Sequence, residues 1–360
     1  MSAKNSTVPI YLAIDSAIWE TFLKEQGSFF YLSSMLDYER EYCKESLSED
    51  MSFALVANGT PVAVCPLFKT VLDGETSFSM AGSELPAPLV ASNLSVKRRK
   101  SIQRQCFEHI HGLALKHGVQ KAIFYADPVA HDWTYNELFK YGYMDASTCT
   151  SIIDLTRSKE ELWAGLRKSY KALINNVSKS HTFVIVDADS PSRQLHDSYV
   201  ELHRKAAGRQ TRSMRTFDLQ YEMLKQDKAM IVGLERDGVP IAMSYFEHHN
   251  FGAYYGSAGD DPDAKGNDPL HHAVLWKAIT RYKEKGFKHF EVGRQPLTSQ
   301  LFEAPSKKEL AIAFFKRGMG GATVPLWRAV RYFDAEFMDK DLADRLLQLK
   351  REHLGKRVQS

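Results

Sequence analysis

The chain has 360 residues, 44% of them hydrophobic and 25% charged, with a formal net charge of +3. That is too long for one ordinary core and comfortable for two, and the composition is that of a globular protein rather than a disordered or fibrous one. The nearly neutral balance excludes wholesale coating of a polyanion but leaves room for local basic patches. No apolar run reaches the roughly 18 residues of a membrane span, and the Met-Ser-Ala-Lys start lacks a secretory apolar core, so no integral membrane segment and a cytoplasmic location are expected. Cys43, Cys65, Cys106 and Cys149 lie far apart, without a CxxC pair or histidines at ligand spacing. They read as reduced core thiols, and no metal site is expected.

The first clear element is NGTPVAVCPLF (58–68): Asn-Gly at a tight turn, then an alternating apolar strand. TSFSMAGSELPAPLV (76–90) reads as a strand breaking into a proline loop. The basic stretch 97–100 opens a helix with Ile102, Cys106, Ile110 and Leu113 near one face, Gly118 ends it, and KAIFYAD (121–127) is a strand. SIIDLT (151–156) is a strand, and Ser158 with Glu161 is a capping box starting a helix that bears Leu162, Leu166, Leu173 and Val177.

The hairpin device then recurs as DGVPIAMSYFE (237–247), followed by the strand FGAYYGSAG (251–259) and an acidic loop. Asp268 is placed to cap the next helix with Pro269 at its first position, and Leu270, Val274, Ala278 and Tyr282 form its stripe. Gly286 ends that helix and KHFEVG (288–293) is the strand. Both halves run hairpin, strand, loop, helix, strand, with the turn glycines roughly 179 residues apart, a spacing too long for a solenoid repeat and suited to a duplicated domain. Residues 334–360 read as an amphipathic helix with a basic end.

This layout resembles the GNAT acyltransferase core, and two cores in one chain resemble the FemAB family, which attaches amino acids or other acyl groups to amines. LWAGLRKSYKALINNVSKS (162–180), YVELHRKAAGRQTRSMRTFDLQYEML (199–224), LHHAVLWKAITRYKEKGFKHFEVGRQ (270–295) and FFKRGMGG (314–321) carry the likeness, which covers roughly half the chain. The first half matches in layout only. The segment QPLTSQLFEAPSKKELAIAF, between Arg294 and Lys316, is longer than the family pattern, and the Gly-rich pyrophosphate loop of simple GNAT enzymes is missing from both copies. The resemblance implies an α/β (α+β) fold of two tandem GNAT-like domains, each a mixed central sheet flanked by helices, plus a C-terminal helix. Expected bounds are 1–150 for a degenerate, acceptor-shaping domain, 151–333 for the acyltransferase domain and 334–360 for the helix. It also implies an activated donor, acyl-CoA or aminoacyl-tRNA, as co-substrate with no tightly bound cofactor. The acceptor would be a small-molecule or sugar-nucleotide amine, on a cell-envelope or surface-polysaccharide precursor, with tRNA a possible partner; oligomeric state is left open.

Acyl transfer to an amine needs a proton acceptor, a preorganised cation or donor for the developing oxyanion, and alignment of the reactants. Lys316, in FFKRGMGG, is the candidate cation, because the family places a charge-stabilising lysine there. Arg294, after a strand and a glycine, could clamp phosphate or carboxylate. Arg204, Lys205, Arg209, Arg212 and Arg215 form a run without acids, suited to a phosphate-bearing substrate or simply a solvated face. Tyr254 and Tyr255 lie on the splaying strand, facing opposite ways, so one at most should face a cleft. Glu247 and Asp260 are candidate bases or ammonium-binding acids, with Asp261 and Asp263 beside Asp260, while His248-His249 read more readily as exposed hairpin histidines. Acids crowding the second helix entrance, at 260, 261, 263 and 268, disfavour CoA pyrophosphate there. A competing expectation is a non-catalytic pair that holds a phosphate-bearing or nucleic-acid partner.

Overall fold

A computed structural model describes residues 10–13, 16–24, 26–265 and 268–354. The chain divides into two compact units. The first holds the described residues through Thr148, Thr298–Ala304 and those from Leu326 on; the second holds Cys149–Leu297 and Pro305–Pro325. Sequence reading assigned 151–333 to one domain, whereas the strand Arg328–Tyr332 pairs with Lys121–Tyr125 and so adds to the first unit's sheet. The helix Ala335–Leu354 belongs with that unit too; the basic end expected at 355–360 lies outside the described residues.

Both hairpin turns form as their dipeptides require. Asn58 and Gly59 have φ of 52° and 75°, and Asp237 and Gly238 have 52° and 76°, the left-handed pair of a type I′ turn. The first unit does not carry its copy as one sheet. Residues 76–90 form three short strands, Glu75–Phe78, Leu85–Pro86 and Leu89–Val90, because Pro86 and Pro88 cannot donate to a ladder. Leu89–Val90 joins the hairpin in a four-stranded sheet, while Glu75–Phe78 and Leu85–Pro86 pair with Lys121–Tyr125 in a seven-stranded one. Cys43, Cys65 and Cys106 are buried and all four cysteines are free. Burial pushes the Cys43 and Cys106 thiols up to about 12, so they are inert packing groups.

The second unit keeps one seven-stranded sheet, in the order Thr182–Val186, Ala229–Arg236, Val239–His249, Gly252–Asp260, His289–Arg294, Thr148–Asp154, Ala322–Leu326. On it packs the helix Leu270–Glu284, whose stripe of Leu270, Val274, Ala278 and Tyr282 is buried as its spacing predicts. Burying Leu270 and Val274 contributes about 1.5–3 kcal/mol each. The capping box at Ser158 and Glu161 is formed, but the helix after it is broken in two, Lys159–Gly165 and Lys168–Ser180. The break follows Gly165, a poor helix former, and the Arg167 N–H donates instead to the Gly318 carbonyl at 2.9 Å. Asp268 does not cap the next helix with its side chain; its carboxylate pairs with Arg236 at 3.0 Å.

Two features open this sheet. The ladder between Val239–His249 and Gly252–Asp260 shifts register, opposing Tyr245 to Ser257 and Phe246 to Tyr255 and leaving Gly256 as the extra residue of a bulge. Gly252–Asp260 then pairs with His289–Arg294 only from Gly252 to Tyr254. Beyond that point the two strands part, and backbone from Tyr255 onward lines a gap.

Candidate functional site

That gap is a cavity of about 690 Å³. Its walls are the splayed strand from Tyr255 to Asp260, the first turn of the helix Leu270–Glu284, and the helix Lys307–Arg317. This last helix comes from the insert after Arg294. It is capped by a box formed by Ser306 and Glu309, and contributes Lys308, Ala311, Ile312, Phe315 and Lys316 to the wall.

Lys316 stands on the last turn of that helix. It is half-buried, and its Nζ lies 5.3 Å from the centre of the Tyr255 ring. A Cβ placed on Gly293 would stand 3.0 Å from that Nζ and 3.3 Å from the Tyr254 hydroxyl, so Gly293, at φ 89°, keeps the strand end open for both. Desolvation lowers the amine from 10.5 to about 8, and the Glu291 carboxylate opposes the fall. Glu291 is itself buried and accepts a 2.6 Å hydrogen bond from Thr150 Oγ1. Of the flanking aromatics, Phe315 faces the cavity, whereas Phe314 is exposed beneath a stacked Arg167, 3.8 Å away. His272 packs edge-on against Phe315 and Tyr170, and burial holds its pKa low, so it is a neutral platform.

The two tyrosines divide as alternation requires, but both approach the lysine. Tyr255 lines the cavity and Tyr254 does not, yet the Tyr254 hydroxyl reaches the Gly293 edge. Burial raises the Tyr255 phenol to about 12, keeping it protonated. Asp260 lines the cavity and its Oδ2 sits 3.4 Å from His271 Nε2. Glu247 is not among the lining groups. It is buried at 8% exposure, its carboxylate pressed on the Gly256 α-carbon, where any Cβ would collide with it. Arg294 ends its strand opposite Thr150 and is not among the cavity-lining residues either.

The acid-free reading of residues 203–215 is overturned in part, because acids outside the run, one a helical turn before it and one far along the chain, supply counter-charges. Arg204 pairs with Glu201 at 2.6 Å and Lys205 with Asp261 at 2.7 Å. Arg212 stacks on Phe217 and donates to Tyr199 and Gln220, both at 3.2 Å. Arg209 and Arg215 are exposed. By the same pairing, the acids at 260, 261 and 268 face His271, Lys205 and Arg236, so the helix entrance is less negative than its sequence suggests. His248 and His249 are buried, not exposed; His248 Nδ1 bonds the Tyr282 hydroxyl at 2.9 Å and Nε2 faces Asp227 at 3.4 Å.

His271, Ser244 and Glu291 were not singled out from the sequence. The only available signal was the position of His271 in a helix first turn, and nothing local says which strand that turn meets. Among the described residues there is no group of three or more side chains fit to hold a metal ion, and no helix long and apolar enough to cross a membrane.

No family model matches the sequence, and no curated protein matches it. Solved structures do match the fold. FemX aligns with a TM-score of 0.67 at 10% identity, covering 92% of this chain and 99% of FemX. L-PGS from Bacillus licheniformis aligns at 0.58 and 15% identity, covering 93% and 97%. A C-terminal domain described as that of a lysylphosphatidylglycerol synthetase, from Agrobacterium fabrum, aligns at 0.54 and 13%, covering 89% and 97%. The chain therefore shares the fold of FemX and L-PGS over nearly its whole length.

Proposed function

We propose that this chain is an N-acyltransferase that moves an acyl or aminoacyl group from an activated donor, acyl-CoA or aminoacyl-tRNA, to an amine. The observation that carries the reading is Lys316: a half-desolvated ammonium at the point where two strands part, facing a cavity large enough for a small substrate. A cation there, in a low-dielectric wall formed by Tyr255 and Phe315, stabilises negative charge growing on an acyl oxygen far better than a solvated lysine would. Its pKa of about 8 leaves it mostly charged at neutral pH. Tyr255, Asp260 and Lys316 meet around one space and are the groups assigned to the chemistry. Arg209 and Arg215, both exposed, are assigned to a phosphate-bearing part of a substrate, and Arg294 to positioning.

The fold shared with FemX and L-PGS and the sequence resemblance together support an amine on a cell-envelope or surface-polysaccharide precursor as acceptor, in a bacterial cytoplasm. The test is a turnover screen of acetyl-CoA, longer acyl-CoAs and aminoacyl-tRNA against amino sugars and sugar nucleotides. Product in any pairing that depends on Lys316 supports the reading; tight binding without turnover in every pairing replaces it with the binding-module reading.

A further inference from the structure

Acyl transfer leaves one proton to be removed from the attacking nitrogen, and the cavity wall contains a path for it. Ser244, on the strand Val239–His249, is 1% exposed and lies under the splayed strand, opposite Ala258. Its Oγ is 3.4 Å from His271 Nδ1, and it faces the Tyr255 phenol closely enough to oppose the rise that burial causes there. His271 Nε2, on the other side of the ring, is 3.4 Å from Asp260 Oδ2. Tyr255, Asp260 and His271 all line the cavity.

These contacts have one self-consistent direction. A carboxylate only accepts, so Asp260 takes the Nε2–H and fixes the imidazole tautomer. Nδ1 is then the free acceptor and receives the Ser244 hydroxyl proton. Ser244 Oγ in turn receives the Tyr255 hydroxyl proton. Every donor in the chain has an acceptor, and the end open to the cavity is the Tyr255 oxygen.

We infer that Tyr255, Ser244, His271 and Asp260 form a proton relay that deprotonates the acceptor amine, with His271 as the base that acts through Tyr255. This rests on the acyl-transfer reading. The N–C bond forms as the nitrogen gives its proton to the Tyr255 oxygen, which passes its own to Ser244, which passes its own to His271 Nδ1. The resulting imidazolium is stabilised by Asp260. The bond from the acyl carbon to the donor's sulfur or oxygen breaks, its electron pair leaves with that atom, and the proton returns along the chain to it. Lys316 holds the oxyanion in between and takes no proton. The other charged or titratable groups around this wall are Asp268 before the helix, His272 beside His271, and Lys308 on the facing helix. Asp268 is committed to Arg236 and His272 Nδ1 donates to the Pro269 carbonyl, 3.1 Å away, so neither replaces Asp260 as the partner of His271.

The test combines histidine NMR with kinetics on the full chain. With ring-labelled histidine, the His271 resonances, assigned by their loss in His271→Gln, should show the neutral tautomer protonated at Nε2, and that preference should be lost in Asp260→Ala, because the carboxylate that accepts the Nε2–H is gone. On a donor–acceptor pair that turns over, His271→Gln and Ser244→Ala should each lower kcat about 10²-fold or more and flatten the acid limb of kcat/KM, and Asp260→Ala should lower kcat as well. A tautomer indifferent to Asp260→Ala overturns the dyad whatever the screen yields. Turnover with an unchanged acid limb in His271→Gln overturns the relay and leaves acyl transfer standing. An intact dyad with no turnover in any pairing overturns acyl transfer itself, and the relay's role with it.

Discussion

Replacing Lys316 by methionine should make the protein slower and more stable at once. Methionine keeps most of the stem and removes the charge. Moving an amine from 10.5 to about 8 corresponds to about 3 kcal/mol at most, and partial exposure screens this to roughly 1–2 kcal/mol that the folded protein loses by holding the charged form. The sign follows from proton binding. Between pH 8 and 10.5 the unfolded chain binds more protons at this site than the folded one, so stability rises with pH across that window. The gain from Lys316→Met is therefore full below about pH 8 and shrinks above it, appearing near neutrality as a few degrees in Tm. The same desolvation makes the cation useful in the transition state, so kcat should drop about 10²-fold, with tenfold as the floor, while substrate affinity stays near that of the parent. Lys316→Arg should not restore the rate, because a forked guanidinium sets its donors elsewhere. Urea or thermal unfolding at pH 7 and 10, beside steady-state kinetics, reads both effects. Parent-like turnover in the methionine variant would show that Lys316 is only a wall residue; a loss of stability at pH 7 would show that its charge is not held against a desolvation cost.

On the acyl-transfer reading, turnover by the parent protein should also decline as pH rises through about 8, when Lys316 loses its charge, and this alkaline limb should be absent from the residual activity of Lys316→Met; an unaltered limb assigns it to another group. Gly256→Ala puts a Cβ into the Glu247 carboxylate and should cost roughly 2–4 kcal/mol, measured as a lower urea midpoint, whereas a parent-like midpoint would mean the bulge has room to give. Lys121, at 5% exposure, bridges Glu75 at 2.8 Å and Asp341 at 3.8 Å and ties the terminal helix to the first unit. Lys121→Ala should destabilise by roughly 2–3 kcal/mol and expose Ala335–Leu354 to limited proteolysis; unchanged cleavage kinetics would deny the tie. If Arg209 and Arg215 serve a polyanion, their joint replacement by alanine should weaken binding of bulk tRNA and lower the salt slope by roughly 1.5–2, and an unchanged slope returns them to a solvated face.

Much of the fold was legible because it is local. Asn58-Gly59 and Asp237-Gly238 adopt left-handed pairs that few other dipeptides tolerate, so both hairpins could be placed from four residues. The stripe from Leu270 to Tyr282 and the box at Ser158 and Glu161 obey the helix period and the reach of one side chain. Lys316 was legible for a different reason, as a position matched to a family pattern with flanking aromatics able to bury its stem; that it stands on a helix was not foreseen. What sequence could not decide is which charges meet. Arg204, Lys205 and Arg212 look like one free run, and the pairing of Arg204 with Glu201 one helical turn back was legible, but Lys205 meets Asp261, 56 positions away, which no local pattern announces. His271 is 27 positions from Ser244 and 11 from Asp260, separations that no helix or strand period connects. Periodicity and turn chemistry are properties of neighbours along the chain and survive in the sequence alone. A buried amine or a hydrogen-bonded relay exists only where a bulge at Gly256 parts two strands and a distant helix closes the gap, because desolvation and bond geometry depend on atoms that only the tertiary fold brings together.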